Sequence, residues 1–158
     1  MNIAIYPGSF NPWHEGHDDV LAKALNIFDK IVIAVGRNPD KPARNDKDLN
    51  ILWGQVVHAI GVEESDRIQV VEFEGTLADF VNEYVDLEDA VTEFPTSYDA
   101  CAVIRGLRNG QDFEFEKTQQ YWNEDLGLKV PTVYLISDRK LTHISSSAKR
   151  AVAKIKGG

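Results

Sequence analysis

One cysteine in 158 residues, Cys101, has no second thiol in the chain to close a disulfide with. Its neighbours Ala102, Val103 and Ile104 point to a buried strand thiol with no redox role. Long apolar runs are missing too. No window approaches the roughly 20 residues of a membrane span, and no basic segment followed by a long apolar one opens the chain as a secretory leader would. The expectation is a cytoplasmic protein without a membrane partner. Positive charge is short: 17 Lys and Arg stand against 25 Asp and Glu, a net charge of −8. That balance opposes a broad phosphate-tracking surface and so excludes nucleic acid as the expected partner, while leaving room for small anions in a local positive pocket. Also absent are a GxxxxGK[ST] loop, a GxGxxG fingerprint and a Ser-His-Asp set on an elbow motif, which removes the commonest phosphate-loop, dinucleotide and hydrolase signatures.

What is present is an alternation. The apolar run Ile3 to Tyr6 ends at the turn residues Pro7-Gly8. From Gly16 a helical pattern follows, with Val20, Leu21, Ala24, Leu25 and Phe28 on one face. Lys30 to Gly36 is nearly continuous β-branched sequence, as in a strand covered on both faces. Helix Asp46–Ile60, strand Arg67–Phe73 and a helix from near Thr76 come next. Val85 to Asp99, acidic and broken by Pro95, reads as an inserted loop. The rhythm resumes with strand Ala100–Ile104, a polar turn Arg105–Gly110, a helix past Trp122, strand Val130–Ile136 and a final basic helix after Ile144-Ser-Ser-Ser147. These elements predict a single α/β domain over residues 1–158, a doubly wound, five-stranded parallel sheet with helices on both faces. Ligands of such sheets bind beyond the carboxyl ends of the strands. The segments there, Pro7-Gly8-Ser9, Arg37–Lys41, Arg105–Arg108 and Ser137–Ser147, all carry phosphate-binding residue types and are expected to converge.

His14-Glu15-Gly16-His17 opens the first helix, where unpaired N–H groups and the helix dipole favour an anion. Two histidines three apart share a face. They could form half a metal site, although no third ligand is evident and none is expected. They could serve only the local turn. Or Gly16 could let a phosphate approach the backbone while His17 donates a hydrogen bond to it, charge-assisted if protonated. Arg105-Gly-Leu-Arg108 sets two guanidinium groups around a glycine, and such forks match phosphate oxygens in pairs; the alternative is solvated arginines paired with the abundant acids. Asp112 and Glu114 read as first-turn acids that favour the helix dipole. Ser145, Ser146 and Ser147 exceed what one helix cap needs, Arg150 adds charge, and Lys41 is a further phosphate candidate. Together these residues point to phosphate chemistry without a covalent nucleophile.

YPGSFNPWHEGH, IRGLRNGQDFEFE and ISSS together resemble phosphopantetheine adenylyltransferase, of the HxGH nucleotidyltransferase superfamily, over most of the chain from Met1 to about Lys154. The resemblance implies a Rossmann-like fold and transfer of the adenylyl group of ATP to 4′-phosphopantetheine, with Mg2+, giving dephospho-coenzyme A and pyrophosphate. It implies that His17 stabilises the α-phosphoryl transition state and that Ser9 orients the acceptor and contacts ATP. Lys41 and Arg105 would hold the acceptor phosphate, with Leu77 and Asn123 along the pantetheine arm. Phe10, Gly106, Leu107, Arg108, Glu116 and the loop Leu141, Thr142, His143, Ile144, Ser145, Ser146, Ser147 would hold ATP. Members are usually hexamers, which makes a homo-oligomer the expectation. His14 replaces a threonine common in this branch, and Thr76, Gln119 and Trp122 replace apolar residues of the acceptor pocket. Those changes keep a second acceptor, such as nicotinamide mononucleotide, in view. A catalytically silent nucleotide-binding module is the other alternative.

Overall fold

The computed structural model describes residues 1–40, 42, 44–86, 100–141 and 146–157, with the side chains of 46, 86, 100, 146–148, 156 and 157 left aside. Lys41, the part of the expected insertion from 87 to 99, and Thr142, His143, Ile144 and Ser145 lie outside the described residues. The chain runs β1 (Asn2–Gly8), α1 (Glu15–Leu25), β2 (Lys30–Gly36), α2 (Asp46–Ile60), a 3₁₀ helix over Val62–Arg67, β3 (Ile68–Phe73), α3 (Leu77–Asp86), β4 (Ala100–Leu107), α4 (Gly110–Asp125), β5 (Thr132–Ile136), a 3₁₀ turn over Arg139–Leu141, and α5 (Ser146–Gly157). The strands form one parallel sheet in the order β3-β2-β1-β4-β5. None of the described helices is long and apolar enough to cross a membrane.

Burial on both faces explains why β1 and β2 read as unbroken apolar sequence. Ala4, Tyr6, Ile31, Ile33 and Val35 face one side, where Val20, Leu21 and Ala24 of α1 and Leu52 and Val56 of α2 cover them. Ile3, Ile5, Val32, Ala34 and Val103 face the other, packed against Val81, Phe80 and Tyr84 of α3. Cys101 sits in β4 at the margin of that second layer, half-buried, and burial pushes its thiol up to about 11. Arg67 closes the end of α1. Its Nη2 donates to the carbonyls of Leu25 (2.7 Å) and Phe28 (2.8 Å), and its Nε to that of Asp29 (2.9 Å). These are charge-assisted bonds to carbonyls the helix end leaves open.

Three boundaries differ from the sequence expectation. Pro7 and Gly8 remain in β1, opposite Ala34 and Val35 of β2. Arg105, Gly106 and Leu107 belong to β4 and not to the following turn, because β5 continues to pair with them as Tyr134, Leu135 and Ile136. Val85 and Asp86 complete the last turn of α3 instead of starting a loop. The middle correction positions the site, since it carries Arg105 to the edge of the sheet on a rigid strand.

Gly106 lets α1 lie close against β4. A Cβ there would sit 2.6 Å from Val20 Cγ2, inside contact distance of a fully buried side chain. Gly106→Ala is therefore expected to cost about 1–3 kcal/mol in urea unfolding, and to cost clearly less in a Val20→Ala background. Equal costs in the two backgrounds would contradict this packing.

Candidate active site

β1 and β4 pair only from Asn2↔Ala100 to Ile5↔Val103, whereas β1 follows β2 as far as Gly8↔Val35, and β4 follows β5 to Leu107↔Ile136. The carboxyl ends of the two central strands thus separate at the point where strand order reverses, which is where an open α/β sheet forms its ligand crevice. Two cavities occupy it. One, of about 310 Å³, is lined by Tyr6, Phe10, His14, Gly16, His17, Gly106, Arg108, Asp112 and Ser137, among others. The other, of about 360 Å³, is lined by Gly36, Phe73, Thr76, Leu77, Gln119, Trp122, Asn123 and Tyr134, among others. Pro7, Gly8, Arg105 and Glu116 line both and form the wall between them.

The first turn of α1 builds the histidine pair. His14 caps the helix, its Nδ1 accepting from the Gly16 amide at 3.1 Å, while His17 Nδ1 accepts from the His14 amide at 3.2 Å. The two imidazoles stack, with centroids 3.7 Å apart and planes 18° from parallel. Gly16 serves that stack: a Cβ there would lie 2.9 Å from His14 Cε1. Phe10, at a positive φ of 47°, meets His17 edge-on at 5.0 Å, and Trp13 lies against it at 5.1 Å. Such a φ is uncommon outside glycine and concentrates at functional loops. With Nδ1 accepting in both rings, the neutral tautomer carries its proton on Nε2. Burial lowers His17 to about 3, the adjacent His14 adding to the effect, and burial also lowers His14. Of the two protonation states left open for this donor, the ligand-free chain holds the uncharged one. His17 is a neutral Nε2–H donor throughout the physiological range.

Both arginines of the strand-end motif are engaged. Arg105 donates from Nε and Nη2 to the two oxygens of Glu116, each at 2.8 Å, and from Nη1 to the Pro7 carbonyl at 3.2 Å. Arg108 grips Asp112 in the same way, at 2.8 and 2.9 Å, and its own amide donates to that carboxylate at 2.9 Å. This pairing holds the Asp112 carboxyl below the usual range and Arg108 above it. Asp112 lies in the first turn of α4 as expected and is in addition the partner of Arg108, while Asn109 caps α4 by accepting from the Asp112 amide at 2.9 Å. Glu114 pairs with Lys117 on the exposed side. An Arg and an Asp four residues apart across a strand end are the signal that finds the Arg108–Asp112 pair.

Other expected residues fall around this centre. Leu77 and Asn123 line the second cavity together with Thr76, Gln119 and Trp122. Leu107 is buried and its carbonyl accepts from the Ser137 amide at 2.8 Å. Ser9 is exposed on the loop after β1, where its carbonyl accepts from Arg44. Arg37 turns to Glu74 and away from the crevice. Lys23 of α1 donates to Asp19 (2.9 Å), Asp138 (3.1 Å) and the Ile136 carbonyl (2.6 Å), which ties the segment leading to Leu141 onto α1. From α5, Arg150 donates to the Asn11 carbonyl and Lys149 pairs with Glu15 at 3.1 Å. Ser146 and Ser147 open α5, and their side chains are outside the description. Among the described residues no group of three or more His, Cys, Asp and Glu is placed to hold a metal ion.

The lowered His17 sets a pH dependence with a definite sign. In the unfolded chain its imidazole takes a proton near the ordinary 6.5, while the folded protein refuses one until about pH 3. The unfolded state binds more protons below 6.5, so this contribution to stability is complete above 6.5 and is lost as the pH falls from there toward 3. In urea unfolding, the stability of wild type relative to His17→Gln is expected to decline between pH 7 and pH 4. A difference independent of pH would contradict the buried neutral imidazole.

Comparison with known proteins agrees with this geometry. A family profile described as cytidylyltransferase-like matches residues 5–152. A phosphopantetheine adenylyltransferase of Francisella philomiragia is 37% identical over 151 residues, covering 96% of this chain and 82% of its own. One from Clostridium novyi is 32% identical over 157 residues, with 99% and 86% covered. Among solved structures, a Plasmodium falciparum nicotinic acid mononucleotide adenylyltransferase aligns over 99% of this chain and 89% of its own with a TM-score of 0.65. A pantoate-beta-alanine ligase of Francisella tularensis aligns with a TM-score of 0.52 over 94% of this chain and 65% of its own. At 18% and 14% identity these two show the shared fold. By its sequence relatives, the chain belongs to the phosphopantetheine adenylyltransferase family of nucleotidyltransferases.

Proposed function

We propose that this enzyme transfers the adenylyl group of ATP to 4′-phosphopantetheine, giving dephospho-coenzyme A and pyrophosphate. The observation that carries the reading is the pair of cavities that meet at Pro7, Gly8, Arg105 and Glu116, with the histidine pair in one and Leu77 and Asn123 in the other. A reaction joining a nucleotide to a phosphorylated acceptor needs two compartments with one shared wall. In the transfer, an oxygen of the acceptor phosphate attacks the α-phosphorus of ATP, the bond from that phosphorus to the bridging oxygen breaks, and pyrophosphate leaves with the electron pair. Charge spreads over the α-phosphoryl oxygens. The chain's contribution is in-line positioning and hydrogen bonding to that charge.

In this reading ATP lies in the cavity of His14 and His17, and the His17 Nε2–H donates to the α-phosphoryl oxygens. In the ligand-free chain the ring is neutral, and the Nε2–H is the hydrogen it offers. Phe10, Gly106, Leu107, Arg108, Glu116 and the segment Leu141 to Ser147 hold the nucleotide, while Ser9, Lys41 and Arg105 take the acceptor phosphate. Leu77 and Asn123 line the arm. The magnesium expected with ATP would neutralise phosphate charge. Magnesium of this kind is usually held by the substrate phosphates with one or two carboxylates. A homo-oligomer, a hexamer as the resemblance implies, and a cytoplasmic setting belong to the same proposal. Sedimentation velocity tests the assembly.

Pyrophosphate release from ATP, followed against a panel of phosphorylated acceptors, tests the reaction. Release that depends on 4′-phosphopantetheine is expected. Its absence, or release only with nicotinamide mononucleotide, would assign the second cavity to another acceptor, and ATP binding without any turnover would favour the silent module. His17→Ala is expected to lower kcat by about 10²-fold or more, the usual effect of losing one preorganised donor, with ATP affinity nearly unchanged; a fully active variant would remove His17 from the mechanism.

A further inference from the structure

Two residues of the α1 turn stand outside this account. Trp13 precedes the cap residue His14, and Asp18 is the fourth residue of the helix. Those two positions commonly carry an apolar pair that staples the incoming chain to the first turn. Here the pair is polar, the Trp13 indole Nε1 donating to Asp18 Oδ1. The indole is buried, its ring 5.1 Å from Phe10, 5.1 Å from His17 and 6.3 Å from Tyr6. Among the described residues the His17 ring has one polar tether, the 3.2 Å bond that Nδ1 accepts from the His14 amide. Rotation of the imidazole by half a turn about χ2 would exchange Nδ1 with Cδ2 and Nε2 with Cε1, which breaks the His14 amide bond that fixes the tautomer and withdraws the donor from the cavity. The rings of His14, Phe10 and Trp13 pack against the imidazole and oppose that rotation, and of these three the indole is the one held in turn by a hydrogen bond to another side chain. The side chain of Asp18 fixes the indole in turn, because a Trp N–H is a donor only and takes one direction once its partner is set.

We propose that Trp13, anchored by Asp18, is a positioning residue that holds the His17 imidazole with its Nε2–H toward the nucleotide cavity. It touches no reacting atom. The inference rests on the reading of His17 as the α-phosphoryl donor, and its test has a readout that needs no turnover. That readout is the two-bond 1H–15N imidazole spectrum of the full, ligand-free chain at pH 7, with His17 assigned by loss of its signals in His17→Gln. Wild type is expected to show a single Nε2–H pattern. Trp13→Phe keeps the ring and deletes the donor, while Asp18→Ala deletes the acceptor. Each is expected to move the His17 pattern toward a mixture of the two tautomers and to lower kcat roughly 10- to 100-fold, as small misplacements of a catalytic group do, with the KM for ATP little changed. Asp18→Asn keeps an acceptor oxygen and is expected to restore both. Circular dichroism and thermal melting establish which variants fold, and Asp18→Ala, at a partly exposed position, carries the test if Trp13→Phe does not. An unchanged His17 pattern or an unchanged kcat in the folded variants overturns the proposal, as does an Asp18→Asn variant that behaves like Asp18→Ala. If the chain transfers to none of the acceptors, the spectra still decide the tether, and the failure falls on the function alone.

Discussion

The rest of the site depends on the shortness of the contact between β1 and β4. The two central strands pair up to Ile5↔Val103 and then part, although each keeps its outer neighbour for several residues more. Pro7, which has no N–H to give, lies past the last β4 partner, and its carbonyl is taken by the Arg105 guanidinium. A side chain thereby replaces the ladder where the ladder ends. It also becomes the wall shared by the two cavities, so the fold and the division of the crevice rest on the same residue. α1 can reach this opening because Gly106 removes the side chain that would hold the helix away from β4.

The electrostatics of the crevice follow from the same geometry. On a chain of net charge −8, the phosphate-binding groups are few and most are already engaged. Glu116 occupies Arg105 and Asp112 occupies Arg108, each in bidentate geometry. These carboxylates keep the guanidinium forks oriented, and an incoming phosphate has to compete with them for donors. The histidines are tuned in the opposite direction. Burial lowers the pKa of both, His17 to about 3 with His14 adding to the effect, and the helix-cap bonds direct the remaining N–H of each neutral ring outward. Neutral directional donors beside paired cations can follow negative charge that moves during a reaction without making the resting pocket a strong anion site.

Much of this was legible in the sequence, for physical reasons that can be named. β2 and α2 fall at Lys30–Gly36 and Asp46–Ile60 because a strand covered on both faces and an amphipathic helix leave unambiguous apolar periods. Gathering Gly8, His17, Arg105, Gly106 and Arg108 around one cavity follows from the rule that parallel strands present their carboxyl ends to ligands. The misplaced boundary at Arg105 shows where such reading stops. Arg, Gly and Leu after an apolar run look like a turn, and only the partner strand β5 makes them strand residues. Likewise the sequence offered three uses for His14 and His17, and what decided between protonated and neutral rings was burial beneath Phe10 and Trp13, which residue spacing does not encode. The first-turn place of Asp112 was legible, but its pairing with Arg108 was not, because that arginine precedes it across a strand end, outside the helix that frames its other neighbours.

The central claim is that the parted strands hold two substrates on opposite sides of Arg105 and Glu116. A crystal structure of the protein with a non-hydrolysable ATP analogue and 4′-phosphopantetheine tests it most directly. The account predicts the α-phosphoryl group within hydrogen-bond reach of His17 Nε2 and the acceptor phosphate across Arg105 in the neighbouring cavity. Both ligands on one side of that wall, or an α-phosphoryl group out of reach of His17, would contradict it.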